Sequence, residues 1–153
     1  MVKKLGFVLT FVLSVMVVAG ILSLVAAQAK YGTGAEAKAM LEKAVGAVKA
    51  NKSKALAEFT KGEGGFKDRD LYPYCGGPDG NFTAHPTLVG KSLKDLKDKT
   101  GKPFGADMYK VAAEGKISEV SYMWPRPGET EPVKKERYFT KVGDQICAVG
   151  FYK

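Results

Sequence analysis

Histidine occurs once in this 153-residue chain, at His85, tryptophan once, at Trp124, and cysteine twice, at Cys75 and Cys147. These scarcities exclude much chemistry. Structural zinc needs clustered Cys and His, iron–sulfur clusters and covalent haem need cysteine motifs, and neither CxxC nor CxxCH occurs. GxSxG, HExxH, Walker A and GxGxxG are also missing. His85 is the one side chain that titrates near neutral pH, and without a nucleophile near it there is no catalytic pair. Asp68 and Asp70 sit two apart in a loop, where capping or bracing suits them better than acid–base work. The chain reads as no enzyme, with no cofactor and no metal.

What is present begins with an export signal. Lys3 and Lys4 precede an almost unbroken apolar run from Leu5 to Val25, and Ala27-Gln28-Ala29 follows as a small-x-small cleavage pattern. Thr10, Ser14, Gly20 and Ser23 dilute the run, which favours cleavage after Ala29. The alternative is an uncleaved anchor over residues 5–27, since about 20 apolar residues can span a bilayer. Either outcome puts residues 30–153 outside the cytoplasm, as one domain. Composition is ordinary for a globular protein, 45% hydrophobic and 26% charged. The formal charge is +8, but the lysines are scattered among acids, as in Lys91-Ser92-Leu93-Lys94-Asp95. Such interleaving describes a solvated surface, and export argues against a nucleic-acid partner. In an oxidising compartment Cys75 and Cys147 can form one disulfide; two buried thiols, or a redox-sensing pair, are the alternatives.

The order of elements follows from periodicity. Thr33-Gly34-Ala35-Glu36 fits a capping box, and Ala37, Leu41, Ala44, Val45 and Val48 make an apolar stripe at helical spacing. Asn51–Ser53 interrupts it, and Ser53 can cap a continuation through Leu56 and Phe59, giving one long helix with a bend. Leu71–Cys75 and Asn81–His85 read as strands around the turn residues Gly76–Gly80. Pro86–Asp98 reads as a short helical or loop-helical piece, and Phe104–Ala113 as a second short helix with Met108, Val111 and Ala112 inward. Ile117–Trp124, Lys134–Lys141 and Gln145–Tyr152 read as strands, the last two joined by a tight turn at Val142–Asp144. Helices gathered apart from neighbouring strands indicate an α+β domain on an antiparallel sheet.

Four blocks then resemble the Cache domain family, in its single-Cache, type-2 branch. They are FTKGEGGFKDRDLYPY (Phe59–Tyr74), DGNFTAHPTLVGKSLKDLKDKTGKPF (Asp79–Phe104), SYMWPRPGETEPVKKERYFTKVGD (Ser121–Asp144) and ICAVGFY (Ile146–Tyr152). The resemblance implies a PAS-like fold: a long N-terminal helix on a five-stranded antiparallel sheet, with two short helices over the other face. It also implies an extracytoplasmic module that senses a small molecule, often a short carboxylate, held between the sheet and the short helices. In such sheets the first and last strands are central neighbours, which brings Cys75 and Cys147 near each other. Where the family usually has apolar residues this chain has Cys75, Gly76 and Gly77, which puts the first hairpin's geometry in question. It also shows no transmitter after Lys153, so signalling is expected through a partner, such as a membrane receptor or sensor kinase.

The resemblance places Lys135, in EPVKKERY, as the leading contact for a small organic anion, through a charge-assisted hydrogen bond. Tyr122 and Trp124 share a strand face and are expected to wall the pocket, with His85 at its mouth. Tyr72, Tyr74 and Tyr138 complete the candidates, although alternation sets Tyr138 on the opposite face from Lys135. A scaffold that has kept the fold and lost its ligand is the competing function, and a redox role for the cysteines a third.

Overall fold

The structure is a computed structural model that describes residues 30–153. The export segment at residues 1–29, with its cleavage or anchor alternatives, lies outside the described residues. Among those described, no helix is long and apolar enough to cross a membrane.

Helix α1 (Gly34–Ala50) starts in a reciprocal capping box. Thr33 Oγ1 accepts the Glu36 N–H, and Glu36 Oε2 accepts the Thr33 N–H at 2.7 Å. Ala37, Leu41, Ala44 and Val48 are its buried stripe. The single long helix expected here is divided at Asn51, whose extended backbone ends α1 and whose side chain accepts the Lys54 N–H to cap α2 (Lys52–Lys61). Asn51, not Ser53, is the second N-cap. Gly62 ends α2 at φ 69°, a left-handed conformation that glycine adopts without Cβ strain.

Strands β1 (Pro73–Gly76), β2 (Phe82–Ala84), β3 (Ser118–Pro125), β4 (Pro132–Val142) and β5 (Gln145–Tyr152) form an antiparallel sheet in the order β2-β1-β5-β4-β3. First and last strands are thus neighbours. Cys75 stands opposite Cys147 in their register, and a disulfide joins the two. The helices α1 and α2 cover one face, over Leu71, Cys75, Val149 and Phe151. The other face carries Tyr74, Phe82, Phe139 and Ile146 beneath Leu93 and Met108, the latter from α3 (Phe104–Val111).

Two local expectations are corrected. Pro86–Asp98 is a run of turns rather than a helix, because its backbone is engaged with the first hairpin: Phe82 N–H donates to Lys91 O, Gly90 N–H to Phe82 O, and Leu93 N–H to Gly80 O. Val111 is 56% exposed rather than inward, since α3 ends there and Ala112 is already extended. The first hairpin carries a bulge between Cys75 and Gly76. The side chains of Tyr109 and Leu93 occupy the space a Gly76 Cβ would need, and the Tyr109 hydroxyl donates to Gly77 O at 2.8 Å. Gly76 and Gly77 are where α3 docks.

A cavity between the sheet and its cover

Strand β4 alternates its side chains between the two layers. Glu136, Tyr138, Thr140 and Val142 take one side, and Lys135, Arg137 and Phe139 take the other. Lys135 is 7% and Arg137 4% exposed. Two cations two residues apart are thereby pressed into one cavity, lined also by Tyr72, Tyr74, His85, Tyr122, Trp124 and Gly150. No carboxylate lies within ion-pair distance of either cation among the described residues.

The two cations are held differently. The Arg137 guanidinium lies 4.0 Å from the Tyr122 ring centroid and 4.3 Å from that of Phe104, a cation–π setting that compensates part of its lost hydration. Its Nη1 donates to the weak acceptor Met108 Sδ at 3.3 Å, and its Nε is buried with no hydrogen-bond partner among the described residues. Lys135 Nζ donates to the Tyr152 hydroxyl at 3.2 Å and stands 4.4 Å from that ring's centroid. Its stem crosses Gly150, where a Cβ would come within 2.8 Å of Lys135 Cε. Burial, then the charge of Arg137, pushes the Lys135 ammonium down to about 8, with Asp70 opposing.

His85 enters this field as a neutral group. Burial, then Lys135 and Arg137, lowers it to about 4. Its Nδ1 accepts the Thr87 N–H at 3.0 Å, so the ring proton resides on Nε2. Burial likewise raises Tyr72, Tyr74 and Tyr122, which keeps their hydroxyls protonated as donors. The rings of Phe104 and Tyr122 stack at 4.3 Å, with Trp124 edge-on to Phe104 at 6.2 Å.

The cover is pinned to the sheet by Asp98, a residue the sequence reading did not single out. One carboxylate oxygen accepts from Thr100 N–H, Thr100 Oγ1 and Lys102 N–H, and the other accepts the Met123 N–H of β3 at 2.8 Å. Burial pushes this carboxyl up, but the four hydrogen bonds prevail and hold it well below the usual carboxylate range.

Six sequence-chosen residues, Lys135, Tyr122, Trp124, His85, Tyr72 and Tyr74, meet in this cavity. Tyr138 does not. It stacks on Phe151 at 5.2 Å on the opposite face and packs against the core under α1, because alternation from Lys135 leaves no bulge to turn it round. Sequence reasoning missed Arg137, although the same alternation places it beside Lys135. It also missed Gly150, the floor beneath the lysine.

The cavity offers about 60 Å³ to the centres of water-sized groups. One water takes roughly 10–15 Å³ on that scale, so there is room for about four to six heavy atoms. Two cations, tyrosine hydroxyls and aromatic walls around that volume can bind a small anion with an apolar end.

Comparisons with known proteins agree on the family. The family model described as Single Cache domain 2 matches residues 10–146. Methyl-accepting chemotaxis protein McpP of Pseudomonas putida is 34% identical over 55 residues, a stretch covering 36% of this chain and 10% of that protein. The crystal structure of a methyl-accepting chemotaxis protein from Vibrio parahaemolyticus is similar at TM-score 0.61 and 25% identity, covering 76% of this chain and 86% of that one. A Cache chemosensory domain, solved for the structural basis of carboxylic acid recognition, is similar at TM-score 0.52 and 25% identity, covering 74% and 84% of the two chains.

Proposed function

Because the chain belongs to the single Cache domain 2 family of extracytoplasmic sensor domains, we propose that its cavity binds a short-chain carboxylate. The carboxylate lies between Lys135 and Arg137, and its apolar end meets Tyr122, Trp124 and Phe104. Residues 30–153 serve as one sensor module, and the apolar segment before them serves export.

One observation carries this reading: two buried cations share a cavity and have no carboxylate at ion-pair distance among the described residues. A buried unpaired charge costs several kcal/mol after relaxation, and folding alone gains nothing from placing two together. An incoming anion supplies the missing neutralisation for both. The similar domain studied for carboxylic acid recognition supports the ligand class.

The test is a thermal-shift screen with sodium acetate, propionate, lactate and pyruvate. A ligand at a hundred times its Kd adds about 2.7 kcal/mol to stability by mass action, so Tm should rise with at least one acid. Lys135→Met should remove that rise. A flat response to all four acids would overturn the reading.

A further inference from the structure

Lys135 has one hydrogen-bond partner among the described residues, the Tyr152 hydroxyl at 3.2 Å. That hydroxyl is not free to choose its role. It donates to the Pro125 carbonyl at 2.7 Å, and a carbonyl can only accept. With its proton committed there, the Tyr152 oxygen must present a lone pair to Lys135, and a lone pair favours the ammonium over the neutral amine. The carbonyl itself is fixed, because Pro125 pairs with Pro132 at the end of the β3–β4 ladder. Arg126, one residue on, lies against both Tyr31 and Tyr152, with its guanidinium 4.8 and 5.4 Å from their ring centroids. The phenol is thus clamped at its ring and at its proton, two residues beyond the Gly150 floor that Lys135 crosses.

We propose that Tyr152, which does not line the cavity, is a positioning residue for anion binding: its hydroxyl, oriented by the Pro125 carbonyl, keeps Lys135 charged and in place. This rests on Lys135 being an anion contact and adds what holds it ready. The other charged or titratable groups around Lys135 are Arg137 on β4, Tyr122 on β3, Tyr74 on β1, Tyr72 and Asp70 on the run into β1, and His85 after β2. Of these, Arg137 opposes the ammonium and Asp70 favours it; neither is bonded to it, which leaves Tyr152 as the directional contact.

The experiment is an NMR titration of lysine ¹³Cε signals in the ligand-free full chain, with Lys135 assigned by its loss in Lys135→Met. Calorimetry with sodium propionate at pH 6 and pH 8.5 accompanies it. Tyr152→Phe keeps the ring and removes the acceptor. The Lys135 midpoint should fall by about one unit, and propionate affinity should drop more at pH 8.5 than at pH 6, by about tenfold at the higher pH. An unmoved midpoint, or an equal loss of affinity at both pH values, would show a merely structural tyrosine and overturn the proposal. If no carboxylate stabilises the wild type, the ligand reading itself falls, and the midpoint alone decides whether Tyr152 governs Lys135.

Discussion

A guanidinium packed among Phe104, Tyr122 and Tyr74 has exchanged solvent for a thioether, aromatic faces and a hydrogen bond with Tyr122, with no carboxylate at ion-pair distance among the described residues. Removing such a group from a structural core would leave a hole, but removing it from a ligand site relieves an unpaired charge. Arg137→Met should therefore leave the ligand-free Tm unchanged or raise it, while cancelling the Tm gain from a carboxylate. A variant that lost several degrees without ligand would mark Arg137 as structural. Lys135 adds a pH signature. Its folded pKa of about 8 lies below the ordinary lysine value of 10.5. Between those values the unfolded chain keeps a proton that the native state sheds, so ligand-free stability rises with pH across that window. Lys135→Met should remove this alkaline rise in urea midpoints. His85 works at the acid end: lowered to about 4 from 6.5, it contributes stability above pH 6.5 that is lost as pH falls towards 4. Lys135 was legible because a sequence block carried it. Arg137 was not, since its meaning depends on burial without a counter-ion, which only the packing reveals.

Among the elements, the cover is the part whose order depends on one side chain. Asp98 ties residues 98–102 to themselves and to Met123 of β3. Asp98→Ala leaves three backbone N–H groups without this acceptor; two of them belong to exposed residues where water can take its place, so the loss is about 2 kcal/mol in all. Tm should fall by roughly 6–10 °C, and the cover over Phe104 should lose hydrogen-exchange protection before the α1 face does. Equal loss of protection across both faces would contradict a local brace. The helices and the long strands were readable because capping chemistry and periodicity act locally, as Thr33 with Glu36 and Ala37 with Leu41 show. Pro86–Asp98 was not, because its apolar spacing mimics a helix while its backbone bonds run to Gly80 and Phe82. The break at Asn51 was half legible: the interruption was evident, but either Asn51 or Ser53 has the chemistry to cap.

At the scale of the whole molecule, the disulfide fastens β1 to β5 at the centre of the sheet. Cys75 and Cys147 are both fully buried and lie 72 residues apart. Closing a loop of that length removes about 4 kcal/mol of unfolded-state entropy in the chain-entropy account. Dithiothreitol should leave the bond intact in native buffer and cut it in urea, and the reduced chain should unfold at lower denaturant. Rapid reduction in native buffer, with the fold retained, would instead favour a redox role. The same centre divides the molecule's labour. One face is apolar under α1 and α2, and the other holds the two cations under a thinner cover. The most direct test of that division is a crystal structure grown with saturating sodium propionate. The carboxylate should lie within hydrogen-bonding distance of both Lys135 Nζ and the Arg137 guanidinium, with its ethyl group against Tyr122 and Trp124. Propionate absent from the cavity at saturation, or bound elsewhere with both cations still bare, would contradict the account.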